Sequence, residues 1–210
     1  MAIALPPARA LEARFTGERF AAHRPYDPLR GDRAREPIAL ATLAELERRG
    51  DTADLVAALA ATGDLARAGE LAARQPAGPA ADSDRAALAL AAGDAEAALE
   101  HAHDAIDRGG RPSELSAAWW NLALAARAHG LLRVSRAAFA TVAARGEPGW
   151  SDEARHQIAA LDGELASPGV AATVLRGRAL VHRAFGRAAL ARAEAAEADA
   201  AGAAGQAARP

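Results

Sequence analysis

The 210-residue chain has no cysteine and no lysine, and it has one methionine, one tyrosine and one asparagine, Asn121. Without cysteine there is no disulfide, no thiolate metal site and no cysteine nucleophile, and the composition fits a reducing compartment. Without lysine there is no phosphate-binding loop of the Gly-x4-Gly-Lys-Ser/Thr kind. No Gly-x-Ser-x-Gly elbow marks a hydrolase serine. No apolar run is long enough to cross a bilayer, and Met1 to Pro7 lacks the basic flank and apolar stretch of a secretory signal; the expected location is the cytoplasm. Metal ligands are sparse. His101 and His103 point about 200° apart on a helix, and His103 with Asp107 at i, i+4 has no second pair to complete a site. No metal, no cofactor and no catalytic residues are therefore expected. Aromatics make up only 4% of the chain, which argues against a large mixed core. Alanine-rich helices still pack, because small side chains let helix axes approach and alanine has the highest helix propensity.

All 25 basic residues are arginine. Together with the excess of alanine this reads as a coding bias rather than as 25 selected guanidinium sites. The distribution of charge is more informative than its sum. Residues 38–165 carry 12 arginines and 19 acids, a net charge of −7, whereas residues 166–192 carry five arginines and no acid.

Strand signals are nearly absent and helical spacing dominates. Residues 1–37 are broken by Pro6, Pro7, Pro25, Pro28 and Pro37 and read as an irregular arm, with His23 to Asp27 lying on the body. From Ile38 the chain is a string of short helices. The first ends at Gly50-Asp51 and the second at Gly63-Asp64; the third spans Leu65 to Gln75. Asp82 or Ser83 is expected to cap the fourth, which stops at Gly93-Asp94. The fifth runs from Ala95 to Arg108, the sixth from a Ser113 cap to His129, and the seventh from Leu131 to Arg145. Ser151 caps the eighth. Tight turns at Gly63, Gly93 and Gly130 alternate with Pro-bearing loops, so the expected fold is all-α, with helical hairpins stacked as a solenoid over 38–165.

The stretch Ala118-Trp119-Trp120-Asn121-Leu122-Ala123, continued by Ala126, Gly130, Ser135, Phe139 and Pro148, resembles a tetratricopeptide (TPR) repeat, whose signature is W-x2-L-G-x2-Y…A-x3-F…P. The hairpins at 52–76 and 83–109 resemble it more loosely. The chain is also similar to the TPR regions that precede CHAT peptidase modules in myxobacterial-type proteins, through Leu65-Ala66-Arg67-Ala68, Ser83 to Leu90, Trp120-Asn121, Gly146 to Trp150 and Arg24-Pro25-Tyr26. That resemblance implies a non-catalytic adaptor or regulatory module binding a protein or peptide segment, or a catalytically empty remnant of a CHAT-type protein.

Neighbours on a helix sit 100° apart. The TPR pattern puts Trp119 inside its hairpin near Phe139, which leaves Trp120 toward the groove lined by the first helix of each hairpin. Trp120, Asn121 and Arg127 are then the candidate partner-binding patch, since tryptophan and arginine are enriched at binding hot spots. The competing reading packs Trp120 against the fifth helix and lets Asn121 satisfy local backbone. Asp54 and Asp84, which precede similar helix turns, are weaker groove candidates that also read as helix-start acids, and Trp150 reads as packing the last turn against the eighth helix. In 166–192, read as a basic amphipathic helix, Val170, Val174, Val181 and Phe185 fall on one side and Arg176, Arg183 and Arg187 on the other. This helix either closes the solenoid with the apolar stripe inward or lies on nucleic acid or an anionic membrane; closure is favoured. Residues 193–210, rich in alanine and glycine, are expected to be disordered.

Overall fold

The computed structural model describes Leu5, residues 8–26, Ile38, residues 40–166 and residues 172–207. Among these the protein is all-helical: α1 (Leu40–Arg49), α2 (Thr52–Thr62), α3 (Leu65–Arg74), α4 (Pro79–Ala91), α5 (Ala95–Arg108), α6 (Pro112–Ala128), α7 (Leu132–Ala144), α8 (Trp150–Leu165), α9 (Ala172–Ala184) and α10 (Ala188–Ala207). The only β-type pairing among the described residues is a single bridge between Arg9 and Tyr26.

The turns explain why the helices are short. In the Gly-Asp pairs, glycine ends one helix in the left-handed conformation and aspartate starts the next. At Gly63 φ is +91°, and Asp64 N–H donates to the Leu59 carbonyl at 2.9 Å. The Asp64 carboxylate then accepts from Arg67 N–H three residues on. Gly93-Asp94 repeats the arrangement with Ala89 and Ala97. Proline begins α4 and α6 at Pro79 and Pro112, a first-turn position at which its missing N–H costs nothing. These prolines move two helix starts ahead of the expected caps. Asp82 and Ser83 lie inside α4, and Ser113 lies inside α6. Ser151 likewise lies within the first turn of α8, which Trp150 begins.

α2 pairs with α3, α4 with α5, α6 with α7, and α9 with α10; α4 also touches both α2 and α6. The core between them is largely alanine, filled out by Leu46, Leu59, Leu99, Leu131, Leu161, Trp120 and Phe139, all fully buried.

The C-terminal segment departs from expectation. Residues 193–207 are helical, as the greater part of α10, and α10 packs on α5 and α7. Ala193, Glu194, Glu197 and Ala198 are buried. The apolar stripe of α9 faces outward: Val174 and Val181 are 52% exposed and Phe185 is 79% exposed, while Leu175 and Ala179 point in. Val170 lies outside the described residues. Polar contacts explain the orientation. The buried Glu194 holds His182 Nδ1 at 2.7 Å and Arg178 at 2.8 Å. Glu197 accepts Val134 N–H at 2.8 Å. Val134 stands three residues after Leu131, where the earlier turns have Asp64 and Asp94, so α10 supplies the cap that this turn lacks.

Candidate functional site

The site is the groove in which the N-terminal arm, residues 8–26, is seated. Its polar contacts begin with one residue on each of three helices. On α6, Asn121 Oδ1 accepts Arg14 N–H at 2.9 Å, and its Nδ2 donates to the Arg14 carbonyl at 2.8 Å and the Ser83 carbonyl at 3.1 Å. On α4, Asp84 accepts the Thr16 N–H at 2.7 Å and the Thr16 hydroxyl at 3.0 Å. On α2, Asp54 accepts Arg19 N–H at 3.1 Å. Each of the three stands nine residues before its turn glycine, Gly63, Gly93 or Gly130. They hold equivalent helical positions and present one polar group each to the arm main chain. Asp54 and Asp84 are therefore groove residues, Asp54 from the first turn of α2 and Asp84 from within α4.

The arm runs from α6 past α4 to α2, turns at Gly17 to Ala21, and returns. At the turn, Phe20 and Ala21 N–H both donate to the Gly17 carbonyl. Gly17 lies so close to α2 that a Cβ there would come within 3.0 Å of the Asp54 backbone; only glycine fits. On return, the Ala21 carbonyl accepts from Trp150 Nε1 at 2.9 Å, and Arg9 N–H donates to the Pro25 carbonyl at 3.0 Å, bringing the two ends of the arm together.

Arginines anchor the arm. Arg9 forms a two-pronged pair with Glu153 and lies 4.6 Å from the Trp150 ring centroid. Arg14 pairs with Glu147 and lies 4.5 Å from the same ring. Arg19 reaches Asp51 at 3.1 Å and Asp54 at 3.4 Å. His23 Nε2 is 2.8 Å from Glu153, and its ring meets Trp150 edge-on. Burial pushes the Glu153 carboxyl up, but Arg9 and His23 outweigh it and hold it below the usual carboxylate range. Among the described residues no cation pairs with Asp84. Burial under the arm pushes its carboxyl up to about 7; the Thr16 bonds lower it, and Asp54 and Glu114 raise it further.

The structure places the sequence-predicted residues as follows. Trp120, not Trp119, meets Phe139, edge-on at 5.1 Å, and it also meets Trp150 at 4.9 Å. Trp119 is only partly buried. The helical register turns Trp120 to face both its own hairpin and the groove floor, where its Nε1 donates to the Glu12 carbonyl at 2.9 Å. Asn121 does satisfy backbone, but backbone 107 residues away. Arg127 stands one step back, bonded to Gln157 and Glu164 of α8, with Gln157 in turn on Glu12. Of the tail arginines, Arg187 pairs with Glu96 and Arg176 with Asp199; Arg183 is exposed. The arm's role was missed. Its signal is four arginines at five-residue intervals, 9, 14, 19 and 24.

No group of three or more His, Asp or Glu able to hold a metal occurs among the described residues, and no helix among them is long and apolar enough to cross a membrane. No known protein family model matches the chain, and no curated protein matches it significantly.

Proposed function

We propose that this protein is a TPR-like adaptor or regulatory module, a stack of helical hairpins whose groove takes an extended protein segment. The observation that carries the reading is the equivalent placement of Asp54, Asp84 and Asn121. Side chains that bond main-chain N–H and C=O groups recognise an extended backbone largely independently of its sequence, as edge-strand recognition does. Contact of α4 with α2 and α6 supports a repeated hairpin, as do the 30- and 37-residue spacings of the turn glycines. In this reading no step of chemistry is catalysed, and association with a CHAT-type peptidase would make the module its recognition half. Selection from a random peptide library on the full chain tests the proposal. Enriched peptides should lose binding to Asn121→Ala and Asp84→Ala variants that keep their helical circular dichroism. Selection yielding no peptide, or peptides indifferent to both substitutions, refutes it.

A second reading rests on α9. Val174, Leu180 and Val181 of α9, Phe185 just after it, and Arg183 are all exposed, and the helix carries no acid, a composition suited to an anionic membrane or nucleic acid. Pairing of Arg176 and Arg187 within the chain weakens this alternative. Salt-sensitive sedimentation with phosphatidylserine vesicles, or salt-sensitive binding of duplex DNA, would favour it.

A further inference from the structure

The seated arm carries information about what else the groove accepts. Resting on the groove reading above, we infer that the partner is a segment that runs and turns as the arm does, with arginines at five-residue intervals, for which the arm is a built-in competitor.

Main-chain bonds to Asn121 and Asp84 hold the extended stretch 14–16 and the bond to Asp54 holds the turn that follows it, and none of the three reads a side chain. Side-chain specificity comes from the acids around them and from the apolar surroundings that bury Phe15 and Phe20. With the arm removed, the groove would present Asp54, Asp84, Glu147 and Glu153 together, with the cations that now satisfy three of them gone. Arg9, Arg14 and Arg19 each answer one of these acids or its neighbour. Residues 8–26 carry four arginines against two glutamates, whereas residues 38–165 are net −7, so the arm and the body are electrostatic complements. Trp150 sharpens the preference. Two guanidinium groups lie within 4.6 Å of its ring centroid, and a planar guanidinium stacks on an aromatic ring and forks onto a carboxylate in a way an ammonium does not. Arg9 and Arg14 are 6% and 3% exposed, so these are enclosed sockets rather than surface ion pairs. An occupant lacking the arginines would leave Glu147 and Glu153 without their partners.

The arm docks within the same chain, so it faces no bimolecular cost and excludes weaker occupants. A partner must either match its arginine spacing or arrive at high local concentration. The arm therefore sets an affinity threshold as well as a template.

The test starts from the intact, folded chain. A protease site is placed between Tyr26 and Ile38, the chain is folded and cut, and a labelled peptide of residues 8–26 is added to exchange with the cut arm. A second peptide carries Arg9→Ala, Arg14→Ala and Arg19→Ala. The native peptide should bind at least about ten-fold more tightly than the substituted one. That gap should shrink in cut chain carrying Glu147→Gln and Glu153→Gln, which removes the acids without removing their bulk. Equal binding of the two peptides to the unsubstituted groove overturns the arginine rule while leaving the groove reading in place. If the cut chain stays helical, holds its own arm through gel filtration and takes up neither peptide, the arm is a permanent part of the fold, and both readings fail.

Discussion

Trp120 and Asp84 each tie packing to the groove. Trp120 is fully buried between Phe139, Trp150 and the arm. Trp120→Ala should cost about 3–5 kcal/mol in chemical denaturation, as truncation of a large buried aromatic does. Trp119→Ala, at a half-buried position, should cost distinctly less, and the order of the two midpoints checks the assignment. Asp84 makes the second case. Its carboxyl is raised from 3.8 to about 7 in the folded protein. Between those values the folded state holds a proton that the unfolded state has released. The contribution of this group to stability therefore grows as pH falls through about 7 and shrinks as pH rises. Asp84→Asn removes that proton while keeping an acceptor for Thr16 N–H. The stability difference between Asp84→Asn and the natural chain should favour the variant most at pH 8 and narrow toward pH 5. Urea midpoints across that range would show it; a difference independent of pH would mean that Asp84 is charged throughout.

At the scale of the helix, a cap can be supplied from outside the turn that needs it. Asp64 and Asp94 cap their own helices, but the equivalent position before α7 is Leu131, which is buried. Glu197 of α10 accepts Val134 N–H instead and also holds Arg133 at 3.2 Å. Glu197→Ala should therefore cost about 1–2 kcal/mol, the range for a lost N-cap, with the loss spread over α7 and α10 together. Hydrogen exchange at Val134 and along α10 should accelerate in parallel; acceleration confined to one helix would show that the two are not coupled. This cap also explains a misreading. Alanine and glycine at 193–207 offer too little apolar surface to suggest a folded segment. The helix is held by small residues fitting closely against α5 and α7, and by Glu197, whose partners lie more than 60 residues away. Nothing in the local composition announces either.

For the whole molecule, the sequence is most legible where structure is locally encoded. Gly-Asp and Pro punctuation predicts the helix order, and α5 runs from Ala95 to Arg108 as its spacing indicates. Legibility fails where partners are distant. Which tryptophan faces Phe139 depends on a rotation of 100° that no local pattern fixes. That Asp54 and Asp84 bind the arm depends on contacts across 35 and 68 residues. The nine-residue interval to the turn glycines, read together with the five-residue arginine interval of the arm, held the information, but only as two separate patterns.

The return of the arm onto α6 and α8 also has a temporal consequence. Most of the helix packing joins neighbours in sequence, contacts that form quickly, whereas Arg14 bonds to Asn121 across 107 residues and Arg9 to Glu153 across 144. Contacts of such separation carry the loop-closure entropy that slows folding. The arm, made before the helices that hold it, is thus among the last segments to find its place, since its sockets are incomplete until residue 153 has been made. Refolding followed by stopped flow should show helix signal recovering ahead of tryptophan fluorescence, because Trp150 and Trp120 acquire their final surroundings only when the arm docks. The lag should vanish in a chain carrying Gly17→Val, in which the arm cannot close onto α2. Coincident recovery of both signals in the natural chain would mean that the arm and the helices form in a single step.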